Sequence, residues 1–195
     1  MTGEANAAEF EGAAYLRNWD AACGRDPSDR VTGGIFLPEP EKLRAHLTTI
    51  YRFGDAAKDL VRDQFGPWWI TRETMELLVA RAGDTEALVF KARVHLAVPP
   101  EFSAMNRCFR AVVRKTLLAF GGVGGLVYQE PPAGAREGDR PVIWPGGAEL
   151  TGTPTDRTSR RQLFIPGLAR VPDALAFQPV RSVAEVVASF HSGTD

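Results

Sequence analysis

Cysteine, lysine and histidine are scarce in this chain of 195 residues, and each scarcity excludes a class of protein. Two cysteines, Cys23 and Cys108, are too few for a disulfide scaffold, and reduced thiols are the default reading. Neither cysteine nor any of the three histidines, His46, His95 and His191, has the close Cys or His companion that a zinc site requires, so no metal is expected. Lysine supplies only 4 of the 23 basic residues, a skew towards arginine that reflects composition more than separate guanidinium functions. With 24 acidic residues the net charge is −1, which gives no reason to expect non-specific binding to nucleic acid or to an anionic membrane. No uncharged apolar run approaches the roughly 20 residues of a membrane-spanning helix. The opening MTGEANAAEFEG lacks the basic and apolar regions of a secretory signal, so the reading is a cytoplasmic protein, or one exported without a signal peptide.

What the chain has in quantity is glycine and proline, 19 and 14 residues, which predicts short elements joined by many turns rather than a long-helix bundle. Hydrophobic residues at 44% and charged residues at 24% are ordinary for a folded domain and exclude a disordered or fibrous chain. The length fits one core. Residues 1–30 are small and polar apart from Tyr15, Leu16 and Trp19, and read as an N-terminal extension in which that cluster can form a short helix. Residues 31–195 read as a single domain.

Aromatic and β-branched residues predict strands over residues 35–38, 48–53, 68–70, 126–129, 141–144, 162–165 and 174–180. Helices are expected over residues 41–47 behind Pro40, over 55–64, over 72–81 with Thr71 as N-cap, and over 183–190. Two longer segments carry the clearest periodicity. Over residues 87–98, Leu88, Phe90, Ala92, Val94, Leu96 and Val98 alternate with the rest, which predicts a strand with one buried face. From Ser103 onward, Met105, Cys108, Phe109, Val112, Val113 and Leu117 recur at three and four, which predicts a helix whose arginine-rich face is solvated rather than bound to nucleic acid. Mixed elements in the first half and mostly strands in the second leave few chances for parallel βαβ units, so the expected class is α+β.

Familiar catalytic motifs are absent. Gly121-Gly122-Val123-Gly124-Gly125 has neither dinucleotide nor phosphate-loop spacing, and it would run from a helix into a strand, the wrong direction to aim a helix N-terminus at a phosphate. A helix C-cap and turn is the plainer reading. No Gly-x-Ser-x-Gly elbow occurs.

Three features remain, in sequence order. The first is Tyr51-Arg52 at the end of the apolar run TTIYRF, where a guanidinium offers forked hydrogen bonds to phosphate or ribose. The second is Gly66-Pro67-Trp68-Trp69-Ile70-Thr71 before a helix. Adjacent tryptophans on a strand point to opposite faces, so one is core and the other needs a groove or a ligand, while Thr71 is fully explained as a helix cap. The third is Arg161-Gln162-Leu163-Phe164-Ile165-Pro166-Gly167, an apolar run opened by a polar residue and ended by proline.

Together these features resemble the ADP-ribosyltransferase superfamily, in the branch whose toxins use an arginine, a serine or threonine after an aromatic, and a glutamate. The resemblance covers residues 47–181 by rough analogy. It implies an α+β domain of two small packed, mostly antiparallel sheets forming a cleft, with flanking helices and NAD lying in the cleft as substrate. In that frame Tyr51 and Arg52 grip the cofactor's pyrophosphate or ribose, Trp68 or Trp69 stacks on nicotinamide, Thr71 braces Arg52 or Gln162, and Gln162 contacts the ribose. The implied activity is NAD-dependent ADP-ribosyl transfer or NAD hydrolysis in a bacterial toxin or effector, with a protein acceptor or a neutralising protein as partner. One departure stands out. The family's glutamate position holds Gln162, which keeps a hydrogen bond but forfeits the charge that stabilises an oxocarbenium-like state; Glu130 and Glu149 are the fallback carboxylates. A non-catalytic member that keeps the cleft to bind a nucleotide or a protein is the alternative, and an unrelated α+β domain with the Trp pair in its core is a third reading.

Overall fold

Ile50 and Tyr51, both fully buried, point to opposite sides of one strand, and the two main cores of the molecule grow from them. In the computed structural model, which describes residues 3–11, 34–129, 142–146 and 162–194, the elements run α1 (Ala7–Phe10), β1 (Ile35–Leu43), β2 (Thr49–Gly54), α2 (Leu60–Gln64), β3 (Trp68–Thr71), α3 (Arg72–Ala80) and α4 (Thr85–Leu96). They continue through β4 (Arg107–Val113), β5 (Leu117–Gly124), β6 (Val127–Gln129), β7 (Val142–Trp144), β8 (Gln162–Phe164), β9 (Leu175–Phe177), β10 (Arg181–Ser182) and α5 (Val183–Ser192). The class is α+β, as the sequence pattern implies.

The expected pair of packed sheets is corrected to one eight-stranded antiparallel sheet, ordered β1-β5-β8-β3-β2-β4, with β9 and β10 both pairing with β4; β6 and β7 form a separate ribbon. The physical reason is β8. Gln162 lies opposite Gly122 of β5 on one side and opposite Ile70 of β3 on the other, so this strand splices two antiparallel groups into one sheet. Helices α3, α4 and α5 cover the face that carries Tyr51, Ile70 and Cys108. The other face buries Ile50, Trp69, Phe109, Leu117 and Leu163 beneath the segment from Ile165 to Leu175.

Local chemistry explains most elements. Thr71 caps α3 as expected, accepting from the Thr74 N–H at 3.2 Å. Ser182 and Glu185 close a reciprocal capping box on α5, which satisfies donors that every helix start leaves open. β1 runs through Pro38 and Pro40, where a helix start was expected, because it pairs only with β5 and as an edge strand tolerates residues that cannot donate.

The two most periodic segments have exchanged types. Residues 87–98 are not a strand: Asp84 caps α4 by accepting from the Ala87 N–H at 2.8 Å, and the buried positions are Leu88, Ala92 and Leu96, four apart, while Phe90 is 61% exposed. The segment from Ser103 is not a helix but the approach to β4 and β5, whose inner residues are covered from both faces of the sheet. The glycine run 121–125 belongs to β5 and its exit rather than to a helix C-cap.

The chain start is tied to this body. The Asn6 side chain, 1% exposed, donates to the carbonyls of Leu118 (2.8 Å) and Pro166 (2.9 Å) and accepts from the Leu118 N–H. Phe10 stacks on Phe120 with ring centroids 4.4 Å apart. Tyr15, Leu16, Trp19, Cys23, Glu130 and Glu149 lie outside the described residues. Among those described, no helix is long and apolar enough to cross a membrane.

Candidate functional site

The three sequence features meet. A cavity of about 220 Å³ opens on the helical side of the sheet, and Tyr51, Arg52, Trp68, Trp69 and Gln162 all contribute to its wall. They come together because β2, β3 and β8 are consecutive in the sheet. The volume is below the roughly 300–1,000 Å³ of sites that enclose a drug-sized ligand, so the described walls suit one ring with its sugar rather than a whole dinucleotide.

Arg52 is largely committed to the protein. Its Nε donates to the Asp63 carbonyl at 2.8 Å, Nη1 to the Trp68 carbonyl at 2.7 Å and Nη2 to Asp63 Oδ1 at 3.3 Å. Burial pulls this guanidinium below its usual range, and Asp63 opposes the shift. Asp63 in turn accepts from Arg107 Nε (3.2 Å) and the Asp55 N–H (2.8 Å), so one buried carboxylate holds two arginines and a backbone amide. Two glycines make room for the arrangement. A Cβ on Gly66 would lie 2.4 Å from Arg52 Nη2, and one on Gly54 would lie 2.3 Å from Asp63 Oδ2.

The tryptophans divide as their alternation requires. Trp69 is 1% exposed in the core, its Nε1 donating to the Gly66 carbonyl at 2.8 Å. Trp68 is half-buried at the cavity, edge-on to Phe164 with centroids 4.8 Å apart, and so keeps surface for a ligand. Tyr51 is fully buried, and its hydroxyl accepts from Arg110 Nε at 3.2 Å. Thr71, expected to brace Arg52 or Gln162, instead engages Thr74 and is not part of the cavity wall. Gln162 is 7% exposed, and its Oε1 is buried without a hydrogen-bond partner among the described residues. An acceptor in that state costs about 1–3 kcal/mol until a donor reaches it.

Much of the remaining wall is a strap, residues 97–106, which the sequence reading divided between a strand ending at Val98 and a helix beginning at Ser103. Ala97, Val98, Phe102, Ser103 and Met105 face the cavity. Arg93 donates to the carbonyls of Val98 and Ala104, Asp55 Oδ2 accepts from the Ala104 N–H at 3.0 Å, and Lys58 Nζ donates to the Phe102 carbonyl. The N–H groups of Ala104 and Ala57 hold the Asp55 carboxyl below its usual range. Ala97 (φ 48°) and Met105 (φ 51°) sit in the left-handed region at either end, a conformation that costs a non-glycine residue roughly 1–2 kcal/mol.

Sequence reasoning missed Asp63, Asp55 and Lys58. No local signal separates Asp63 from its charged neighbours in residues 55–64; only the tertiary contacts with Arg52 and Arg107 do so. Of the side chains in the described wall, Asp63 alone is a carboxylate, and it is ion-paired. Among the described residues no group of three or more metal-ligating side chains occurs. Set against models of known families, curated proteins and solved structures, the chain matches none.

Proposed function

We propose that this cavity receives the nicotinamide-ribose end of NAD and that the protein cleaves the N-glycosidic bond, passing ADP-ribose to water or to a protein acceptor. The observation that carries the reading is convergence. Three motifs separated by up to 111 positions, at Tyr51-Arg52, Trp68-Trp69 and Gln162, line one small cavity on adjacent strands.

The parts suit that ligand chemistry. The half-buried Trp68 ring offers its face to a planar, positively charged nicotinamide, and the partnerless Gln162 Oε1 offers an acceptor to a ribose hydroxyl. In the reaction the bond between the ribose C1′ and the ring nitrogen breaks, and its electron pair leaves with neutral nicotinamide. Water or an acceptor nucleophile then bonds to C1′ and gives up a proton. The Gln162 dipole stabilises the cationic sugar less than a carboxylate does, so slow turnover is expected. Arg52 acts from beneath the site, ordering the β2–β3 junction through the Trp68 carbonyl.

A second reading rests on a specific observation: an amide stands at Gln162, and the Asp63 carboxylate in the described wall is neutralised by Arg52 and Arg107. On that reading the protein binds the nucleotide, or a protein partner at the cleft, without cleaving NAD. One experiment separates them. NAD is titrated against intrinsic tryptophan fluorescence in wild type, Trp68→Phe and Trp69→Phe, and nicotinamide release is followed by chromatography. Saturable quenching that Trp68→Phe removes, with nicotinamide released, supports cleavage. Quenching without release supports the binding reading, and no response at millimolar NAD removes both nucleotide readings.

A further inference from the structure

We propose that Lys58, rather than Arg52, seats the phosphate of the bound nucleotide at the mouth of the cavity. This rests on the nucleotide reading above and adds to it a residue that the sequence motifs do not contain. Arg52 is the residue that the motif pattern assigns to phosphate, but its Nε, Nη1 and Nη2 each donate to Asp63 or Trp68, and its side chain is only 16% exposed. With three of its five N–H donors spent and most of its side chain buried, Arg52 is the poorer partner for a phosphate, which favours a second cation. Among the described residues of the wall, the cations are Arg52 and Lys58.

Lys58 has the properties that the role needs. It is solvent-exposed at the rim, whereas the ring-binding groups Trp68 and Gln162 lie deeper. Its ammonium is already tethered to the Phe102 carbonyl, which leaves further N–H donors free and lowers the entropy lost when an anion docks. The surrounding charge agrees. Arg52, Arg107 and Lys58 are three cations against the two carboxylates beside them, Asp55 and Asp63, so this group of side chains carries one net positive charge towards an anion. The chemistry recognised is a phosphate monoester on a ribose whose base occupies the cavity.

The test compares two probes, nicotinamide riboside and nicotinamide mononucleotide, titrated into wild type, Lys58→Gln and Lys58→Arg at low and moderate salt. Wild type is expected to bind the mononucleotide about tenfold more tightly than the nucleoside, the scale of one charge-assisted hydrogen bond, with the preference shrinking as salt rises. Lys58→Gln should bring mononucleotide affinity down to that of the nucleoside, and Lys58→Arg should keep the preference. Unaltered melting temperatures, expected for an exposed side chain, exclude a folding effect. A preference that survives Lys58→Gln, or nucleoside binding with no phosphate preference in wild type, overturns the Lys58 assignment alone. If neither probe binds wild type, the nucleotide reading falls and Lys58 falls with it.

Discussion

Replacing Asp63 by alanine tests whether one carboxylate holds the floor of the cavity. The substitution removes the contacts to Arg52 Nη2 at 3.3 Å, Arg107 Nε at 3.2 Å and the Asp55 N–H at 2.8 Å. Both arginine side chains are at least four-fifths buried, 16% and 12% exposed, so they stay in a poorly solvated place without the carboxylate that they share. Stripping one partner from a buried ion pair costs about 3–5 kcal/mol. The Asp63 backbone carbonyl still accepts from Arg52 Nε, which keeps the estimate within that range rather than above it. For a chain of this length each kcal/mol moves the melting temperature by roughly 2–4 °C, so Asp63→Ala should melt about 6–20 °C below wild type. Asp63→Asn, which keeps an acceptor but drops the charge, should fall between. Urea titration and calorimetry supply the measurement. A loss under about 1 kcal/mol with an unchanged denaturant slope would show that water or a rearranged side chain replaces the carboxylate, and the description of Asp63 as the central tie would be wrong.

Gly66→Ala should cost about 1–3 kcal/mol by overpacking, because the new Cβ meets an Arg52 guanidinium that three hydrogen bonds hold in place; an unchanged urea midpoint would refute this. Gln162→Glu puts a carboxyl at a position only 7% exposed, so desolvation should raise its folded pKa above the unfolded value of about 4.3. An acid raised in the folded state loses stability as pH climbs, so this variant should weaken relative to wild type between about pH 4 and 8, and parallel urea midpoints across that range would contradict it. The His95 pKa is pushed down from 6.5 to about 4, first because the ring is partly buried and then because Arg81 and Lys91 repel its charge. The unfolded chain takes up that proton first, so stability should fall as pH drops from about 6.5 towards 4, and His95→Gln should flatten this part of the profile.

Legibility in the sequence followed the local signals. Short runs bounded by turn residues, such as Trp68–Thr71 and Gln162–Phe164, are strands where the composition places them, and the Thr71 cap and the α5 helix are where their chemistry puts them. The exchange of types at α4 and β4 has one cause. The apolar set Leu88, Phe90, Ala92, Val94, Leu96 satisfies period two, but its subset Leu88, Ala92, Leu96 satisfies a four-residue helical repeat equally well, and burial selects that subset. In β4, coverage on both faces of the sheet erases alternation, and an accidental three-four spacing remains. At the site, Tyr51, Arg52, Trp68, Trp69 and Gln162 converge while Thr71 stays with its helix, whereas Asp63, Lys58 and the strap enter through contacts between segments distant in the chain, which no local pattern encodes.

The splice made by β8 also sets an order of events during synthesis. Residues 162–164 sit in the middle of the sheet but leave the ribosome after both of the strands that they join. Until they do, β5 and β3 each present a bare edge to the cell, a template for wrong pairing, and the cavity has no Gln162 wall. Closing those edges requires contacts between distant parts of the chain, the slow class of folding step. The nascent protein therefore passes through a stage in which two half-sheets exist without a finished cavity, and whatever the cavity does begins only after residues 162–164 have emerged and paired.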